Sequence, residues 1–447
     1  MSTAGATTPS LALVKYALDN GLEVILHEDH RQPLVAVNVW YHVGAFAEEP
    51  GKSGFAHLFE HLMFQGSAHV PGDKHARYLE EVGVSGLNGT TDFDRTAFFE
   101  TVPKNELELA LWLEADRMGW LAPALSTAVL DERRAVVKDE RRQRFEDAPY
   151  GIAREKLWHA VFPPSHPYRG MGIGSIADLD NATLDDVRRF YDSYYAPSNA
   201  TLCIAGDIDP LATRALVDKY FGTLPPWPRP RPRAVAAPTL TQELRIDHEE
   251  AVGTVPLVEM LWLTPGRGKP GHREVEVLAR VLGDGIASKM RDALLVQSDL
   301  AVEVAVVQQA MAEVSTFSIM ATVRPEVAPD EVLNTIQSQL DYLADVPVAP
   351  EDVARAVKRI ESERVFALQE TAARADVFQN DNHYAGDPGA FSAELSHYRA
   401  ITADAVMAAL AQHLVKDRRA ILVAVPKATS HAAAAPSTGA PGTKEAP

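Results

Sequence analysis

Cysteine is nearly absent. The single one among 447 residues, Cys203, excludes an internal disulfide, and its apolar setting in Ala200-Thr-Leu-Cys-Ile-Ala205 predicts a buried strand residue. Long apolar runs are missing too: no stretch approaches the roughly 20 residues that a membrane-spanning helix needs. Positive charge is in deficit, with 43 Lys and Arg against 61 Asp and Glu and a formal net charge of −18. That balance argues against a nucleic-acid partner. It suits solubility, and it also suits basic peptides held inside a chamber. Residues 1–10 have neither the basic n-region nor the apolar core of a signal peptide. A cytoplasmic location is therefore expected, or a periplasmic one where an export signal has been removed.

What is present is enough for more than one packed core. A length of 447 residues with 46% hydrophobic content suggests two or more domains. The clearest break is Leu224-Pro-Pro-Trp-Pro-Arg-Pro-Arg-Pro-Arg233, a semi-rigid proline-rich linker between halves of similar size. Residues 428–447 are rich in Ala, Pro, Ser, Thr and Gly and are expected to be disordered. The expected division is a flexible 1–11, a first α+β domain over 12–223, a linker over 224–239, a second α+β domain over 240–427, and the tail. Leu22-Glu-Val-Ile-Leu26 and Val35-Ala-Val-Asn-Val-Trp-Tyr41 alternate like strands. The halves read as copies. Thr183-Leu-Asp-Asp-Val187 opens a helix before the strand 200–205, and in the second half Thr402-Ala-Asp-Ala-Val406 opens another before 420–425. Near the same shift, Val277-Leu-Ala-Arg-Val-Leu282 falls where His57–Leu62 stands, so the second copy keeps a helix and lacks the ligands.

The chemistry concentrates in Gly54-Phe-Ala-His-Leu-Phe-Glu-His-Leu-Met-Phe-Gln-Gly66. On a helix, His57 and His61 share one face and can hold one zinc ion. This order, H-x-x-E-H, is the inverted zinc-peptidase signature, in which Glu60 binds no metal and serves as the base for water. Leu58, Phe59, Leu62, Met63 and Phe64 seat the helix in a core, so the ligands project from a rigid element. A catalytic zinc takes three protein ligands, and two histidines therefore call for a third. The charged segment 131–147 offers carboxylates at 131, 132, 139, 140, 146 and 147, among which spacing alone does not choose.

The ligand segment resembles the zinc helix of the pitrilysin/insulinase-type peptidases, the inverzincin family that includes mitochondrial processing peptidase. Ala135-Val-Val-Lys-Asp-Glu-Arg-Arg-Gln143 with Ala148-Pro-Tyr-Gly151 is similar to the family's downstream helix. That resemblance implies Glu140 as the third zinc ligand, at a distance along the chain from His61 close to the family's separation. The family's second acid, two turns earlier, is replaced here by Arg133, and its neighbour Glu132 is expected to orient a ligand from behind. Leu87–Pro103 resembles the edge strand on which the family lays its substrate, which implies Asn88 and Gly89 as substrate contacts. The residues alone read as a hairpin with an Asn-Gly turn.

The resemblance implies a zinc endopeptidase for short or unfolded peptides, one Zn²⁺ per chain, built as two homologous α+β domains forming half of a clam-shell. Where self-sufficient members carry a substrate-holding Arg and Tyr, this chain has Lys289 and Val302. A lysine lacks the two-pronged contact of arginine, and valine has no hydroxyl. The expected active form is thus a heterodimer, as in some bacterial relatives, with a homologous non-catalytic subunit supplying the Arg/Tyr pair. Within one chain, Tyr384, Tyr398 or another residue would have to compensate. Two other functions compete: a catalytically silent assembly subunit, which would not need His57, Glu60 and His61 together, and a maturase dedicated to one precursor peptide.

Overall fold

The structure, a computed structural model, describes residues 11–231 and 233–427; the expected flexible start up to residue 10 and the tail 428–447 lie outside them. Eleven strands among these residues form two sheets. The first contains β1 (Val14–Ala17), β2 (Glu23–Glu28), β3 (Leu34–Tyr41), β4 (Ser85–Thr91), β5 (Thr96–Pro103) and β6 (Ala200–Gly206) in the order β1-β2-β6-β3-β5-β4. The second contains β7 (Leu244–Glu250), β8 (Leu257–Pro265), β9 (Ala301–Gln309), β10 (Val314–Val323) and β11 (Arg419–Pro426) in the order β7-β11-β8-β10-β9. Without β1, the two orders are the same when β2 to β6 are read as β7 to β11. The pairing agrees as well: β2 with β6 and β7 with β11 are the parallel pairs, and the other neighbours are antiparallel. The chain is two α+β units of like topology, and the described residues from 225 to 243 that join them carry neither helix nor strand.

The helices that matter here are α1 (Phe55–Leu62), α2 (Thr127–Arg141), α3 (Gly151–Val161), α4 (Leu184–Tyr194), α5 (His272–Gly283), α6 (Pro350–Ala367), α7 (Thr371–Ala385), α8 (Phe391–Arg399) and α9 (Ala403–His413). The threonine openings found in the sequence are true caps. Thr183 accepts from the Asp186 N–H ahead of α4, and Thr402 from the Ala405 N–H ahead of α9.

Spatial grouping departs from chain order at two helices. α3, from the first half, lays Ala153, Leu157, Trp158 and Val161 against Leu261, Ala420, Leu422 and Ala424 of the second sheet. α7, from the second half, lays Ala375 and Phe378 against Ile25, Ala36, Cys203 and Ala205 of the first. β6 is buried along its whole length because helices cover both faces of its sheet. Gln379 of α7 also donates to the carbonyls of Asn38 (2.7 Å) and Thr201 (2.8 Å), tying the halves by polar as well as apolar contact.

β4 and β5 form a hairpin, but its turn is Asp92-Phe93-Asp94-Arg95, not Asn88-Gly89. Asp92 Oδ1 accepts from the N–H groups of Asp94 (2.7 Å) and Arg95 (2.8 Å), which closes the turn with a side chain. Asn88 and Gly89 lie inside β4, the outermost strand, next to a register shift between Ser85 and Asn88.

Candidate metal centre

The ligand helix is fixed at its first turn. Gly54 precedes α1 with φ +88°, and a Cβ there would stand 2.4 Å from the Ile173 carbonyl oxygen, so glycine is required both for the left-handed backbone and for the close approach. Glu48, only 3% exposed, accepts from the N–H groups of Gly54 (2.9 Å) and Ala56 (3.0 Å). Burial pushes its carboxyl up to about 8 while those N–H groups pull the other way. A carboxylate at a helix N-terminus also meets the favourable end of the helix dipole. Glu48→Ala would leave two buried N–H donors without their acceptor. At about 1–3 kcal/mol per buried group left unsatisfied, a loss of about 3 kcal/mol is expected, read as a lower urea midpoint at unchanged slope.

From this anchored helix the His57 and His61 rings stand side by side, 4.8 Å between centroids and nearly perpendicular at 87°. Glu140 reaches them from α2: its Oε2 lies 3.5 Å from His57 Nε2 and 3.3 Å from His61 Nε2. Ligand atoms of the three residues fall within 4.8 Å of one another. The buried Nε2 of His61 has no hydrogen-bond partner, so the group converges without satisfying itself. Two nitrogens and a carboxylate oxygen are a zinc-type donor set. Donor atoms at about 2.0–2.1 Å from a tetrahedral ion lie about 3.3 Å apart, in line with these spacings. Burial lowers the His57 imidazole to about 4, which keeps it neutral and able to donate a lone pair at neutral pH. Arg144, one turn past Glu140, donates to the other carboxylate oxygen at 2.7 Å and fixes its orientation. A π-helical turn over Arg142–Glu146 follows.

Glu60 points from the same helix towards β4. Burial raises its carboxyl above the ordinary range, opposed by the Thr91 hydroxyl and the His61 charge. Gly89 makes the approach of β4 possible: a Cβ there would meet Glu60 Cγ at 2.8 Å and the Phe64 and Phe98 rings at 3.2 Å. Gly89→Ala is therefore expected to displace Glu60 while leaving metal content unchanged. Metal analysis beside a structure of the variant checks both expectations.

Some expected residues are not brought to the site. Glu132 is not among the converging residues: its carboxylate is 62% exposed and pairs with Arg133. On a helix a separation of seven residues returns to within about 20° of the same face, whereas the eight between Glu132 and Glu140 leave it about 80° round. Lys289 pairs with Asp352 at 2.6 Å, and Val302 is half exposed on β9. Tyr384 donates to Asp94 (3.1 Å) and Tyr398 to Glu276, so both hydroxyls are engaged away from the histidines. Glu48 and Thr91 were missed from sequence. No spacing rule links Glu48 to the helix it caps, whereas Arg144 was readable as an i,i+4 partner of Glu140.

The second half shows what the duplication discarded. When α1 is laid on α5 with His57 on Val277, His61 falls on Val281 and the same shift carries Glu140 to Ile360; these three counterparts are at most 2% exposed within the second core. Glu60 corresponds to Arg280.

Known proteins are similar to this chain over both halves. The Zinc protease PqqE of Helicobacter pylori is 28% identical over 332 residues, 73% of each chain. A crystal structure of a protease from Helicobacter pylori superposes with a TM-score of 0.86 at 22% identity, covering 93% of this chain and 100% of that one. The periplasmic protease PqqL from Escherichia coli superposes with a TM-score of 0.74 at 18% identity, covering 94% of this chain but 48% of that protein. Residues 23–165 match the family described as Insulinase (Peptidase family M16), and residues 181–360 match the Peptidase M16 inactive domain. Since the first match spans His57, His61 and Glu140 and the second spans their apolar counterparts, the chain belongs to the insulinase (M16) peptidase family.

Proposed function

We propose that this chain is a zinc-dependent endopeptidase subunit that hydrolyses short or unfolded peptides. The convergence of His57, His61 and Glu140, with Glu60 beside them and an outermost strand alongside, carries the reading. The three ligands would hold one zinc ion, which supplies Lewis acidity, polarising the scissile carbonyl and acidifying the attacking water. The free edge of β4 offers backbone donors and acceptors to an extended peptide, with Asn88 and Gly89 nearest the scissile bond. Glu60 takes a proton from the water as its oxygen bonds to the carbonyl carbon, and returns it to the amine nitrogen as the C–N bond breaks. The match to an inactive domain falls on the half whose ligand positions are Val277, Val281 and Ile360, so it does not weigh against the first half.

The active form in this proposal is a heterodimer, two half-shells around a peptide chamber. Lys289 and Val302 lack the chemistry of an Arg/Tyr pair, and Tyr384 and Tyr398 are committed elsewhere. The chain also spans about half of PqqL, 48% of its length, which fits a unit that works with a second one. Among the described residues no helix is long and apolar enough to cross a membrane.

The test is zinc content and hydrolysis of a quenched peptide library by the purified chain, alone and with a co-purifying homologue. One zinc per chain with cleavage only in the pair is expected. Full activity of the chain alone would overturn the heterodimer, and absence of both zinc and cleavage would overturn the peptidase.

A further inference from the structure

The second half encloses a cavity of about 430 Å³ that shares no residue with the metal centre. Its walls are one face of α5, the end of β9, and the inner sides of α7 and α8. It is the size of a small-ligand site. Its charged lining is mostly self-paired: Glu394 holds Arg273, and Asp284 holds Arg280. Arg364 forms an ion pair with Asp381 at 3.3 Å, and Glu276 accepts from the Tyr398 hydroxyl; the bonding capacity still open lies on Arg267 and on the second oxygen of Asp381, of opposite sign.

Arg267 is the cation. Its guanidinium lies 4.3 Å over the Tyr384 ring and donates to Asn380 Oδ1 at 3.0 Å. Among the described residues no carboxylate forms an ion pair with it. Stacked and singly bonded, it keeps donors free in a fixed plane, the arrangement that recognises a carboxylate in two-pronged fashion. Asp381 is the anion. It is 4% exposed, its Oδ2 has no hydrogen-bond partner, and its Oδ1 meets Arg364 only at 3.3 Å. Burial pushes its carboxyl up to about 6, with Arg364 and, more weakly, Arg267 pulling it down. A ligand ammonium beside the Asp381 carboxylate supplies the donor that it lacks.

A simple anion would meet Asp381, Glu276 and Glu394, and a simple cation would meet Arg267 and Arg364. The pair left unfilled asks for one molecule with both charges. We propose that this cavity binds a short zwitterionic peptide with free termini, its carboxylate on Arg267 and its ammonium on Asp381. Ala279 and Val306 give its side chains apolar contact. Such peptides belong to the product class of the hydrolysis proposed above, but binding here uses neither the metal ligands nor Glu60.

The experiment is calorimetric titration of the dipeptide Ala-Val into the full zinc-loaded chain carrying Glu60→Gln, which prevents consumption of the probe. One saturable site with a Kd of about 10 μM to 1 mM is expected. N-acetyl-Ala-Val and Ala-Val-amide should each bind at least about 10-fold more weakly, as should Ala-Val to folded Arg267→Met and Asp381→Asn variants. No saturable heat up to about 10 mM peptide, or equal binding of the blocked peptides, overturns the proposal whether or not the variants fold. Intact binding in a chain that proves unable to hydrolyse peptides would sink only the peptidase reading.

Discussion

Replacing Glu60 with Gln is expected to leave zinc bound and to lower peptide hydrolysis by about 10²–10⁴-fold, the contribution of a positioned general base. Gln keeps the size of the side chain, so the packing of α1 against β4 around Gly89 survives. What disappears is the basic oxygen. Zinc should stay because Glu60 is not among the three converging donors, which are His57, His61 and Glu140. Burial raises the carboxyl of Glu60 above the ordinary carboxylate range, which makes it a stronger proton acceptor than an exposed glutamate. Single-turnover hydrolysis beside metal analysis of the same sample decides the matter. Retained hydrolysis would remove Glu60 from the assigned role, and loss of zinc would make it a ligand instead.

Glu140→Gln has the opposite signature, with the metal going first. Its Oε2 is the one carboxylate oxygen among the described residues within 3.5 Å of both imidazoles, and an amide oxygen carries no charge to replace it. Apparent zinc binding of about 10–16 kcal/mol, shared over four coordination positions, assigns about 3 kcal/mol to each, or about 10²–10³-fold in affinity. Competition with a chelator of known affinity measures this directly. Excess zinc should restore part of the hydrolysis in Glu140→Gln and none in Glu60→Gln, so the pair separates binding the metal from using it. Unchanged zinc affinity would mean that a different residue is the third ligand.

The two substitutions rest on information of different kinds. The H-x-x-E-H order is local: a helical repeat of 3.6 residues puts His57 and His61 on one face before any tertiary contact forms. Alternating strands, threonine caps and the likeness of the two halves are legible in the same way, and β2, β3, α4 and α9 arise where those patterns stand. The third ligand is different. Six acids crowd the segment 131–147, and only Glu140 comes within ion-pair distance of His57 and His61 among the described residues. Glu132 pairs with Arg133 instead, since eight residues along the helix turn it about 80° from the face of Glu140.

The amino-acid sequence by itself determined the secondary elements, the duplicated α+β plan and the pair of histidines with Glu60 between them, because each depends on neighbours within about two helical turns. Tertiary structure decided the rest. The capping of α1 by Glu48, the approach of Gly89 to Glu60, the closing of the hairpin at Asp92 rather than at Asn88-Gly89, and the exchange of α3 and α7 between sheets each depend on which surfaces meet. The physical reason is that a buried acid or a close-packed glycine acquires its role from a partner supplied by another part of the chain. Arg267 and Asp381, far apart in sequence, face one cavity by the same rule.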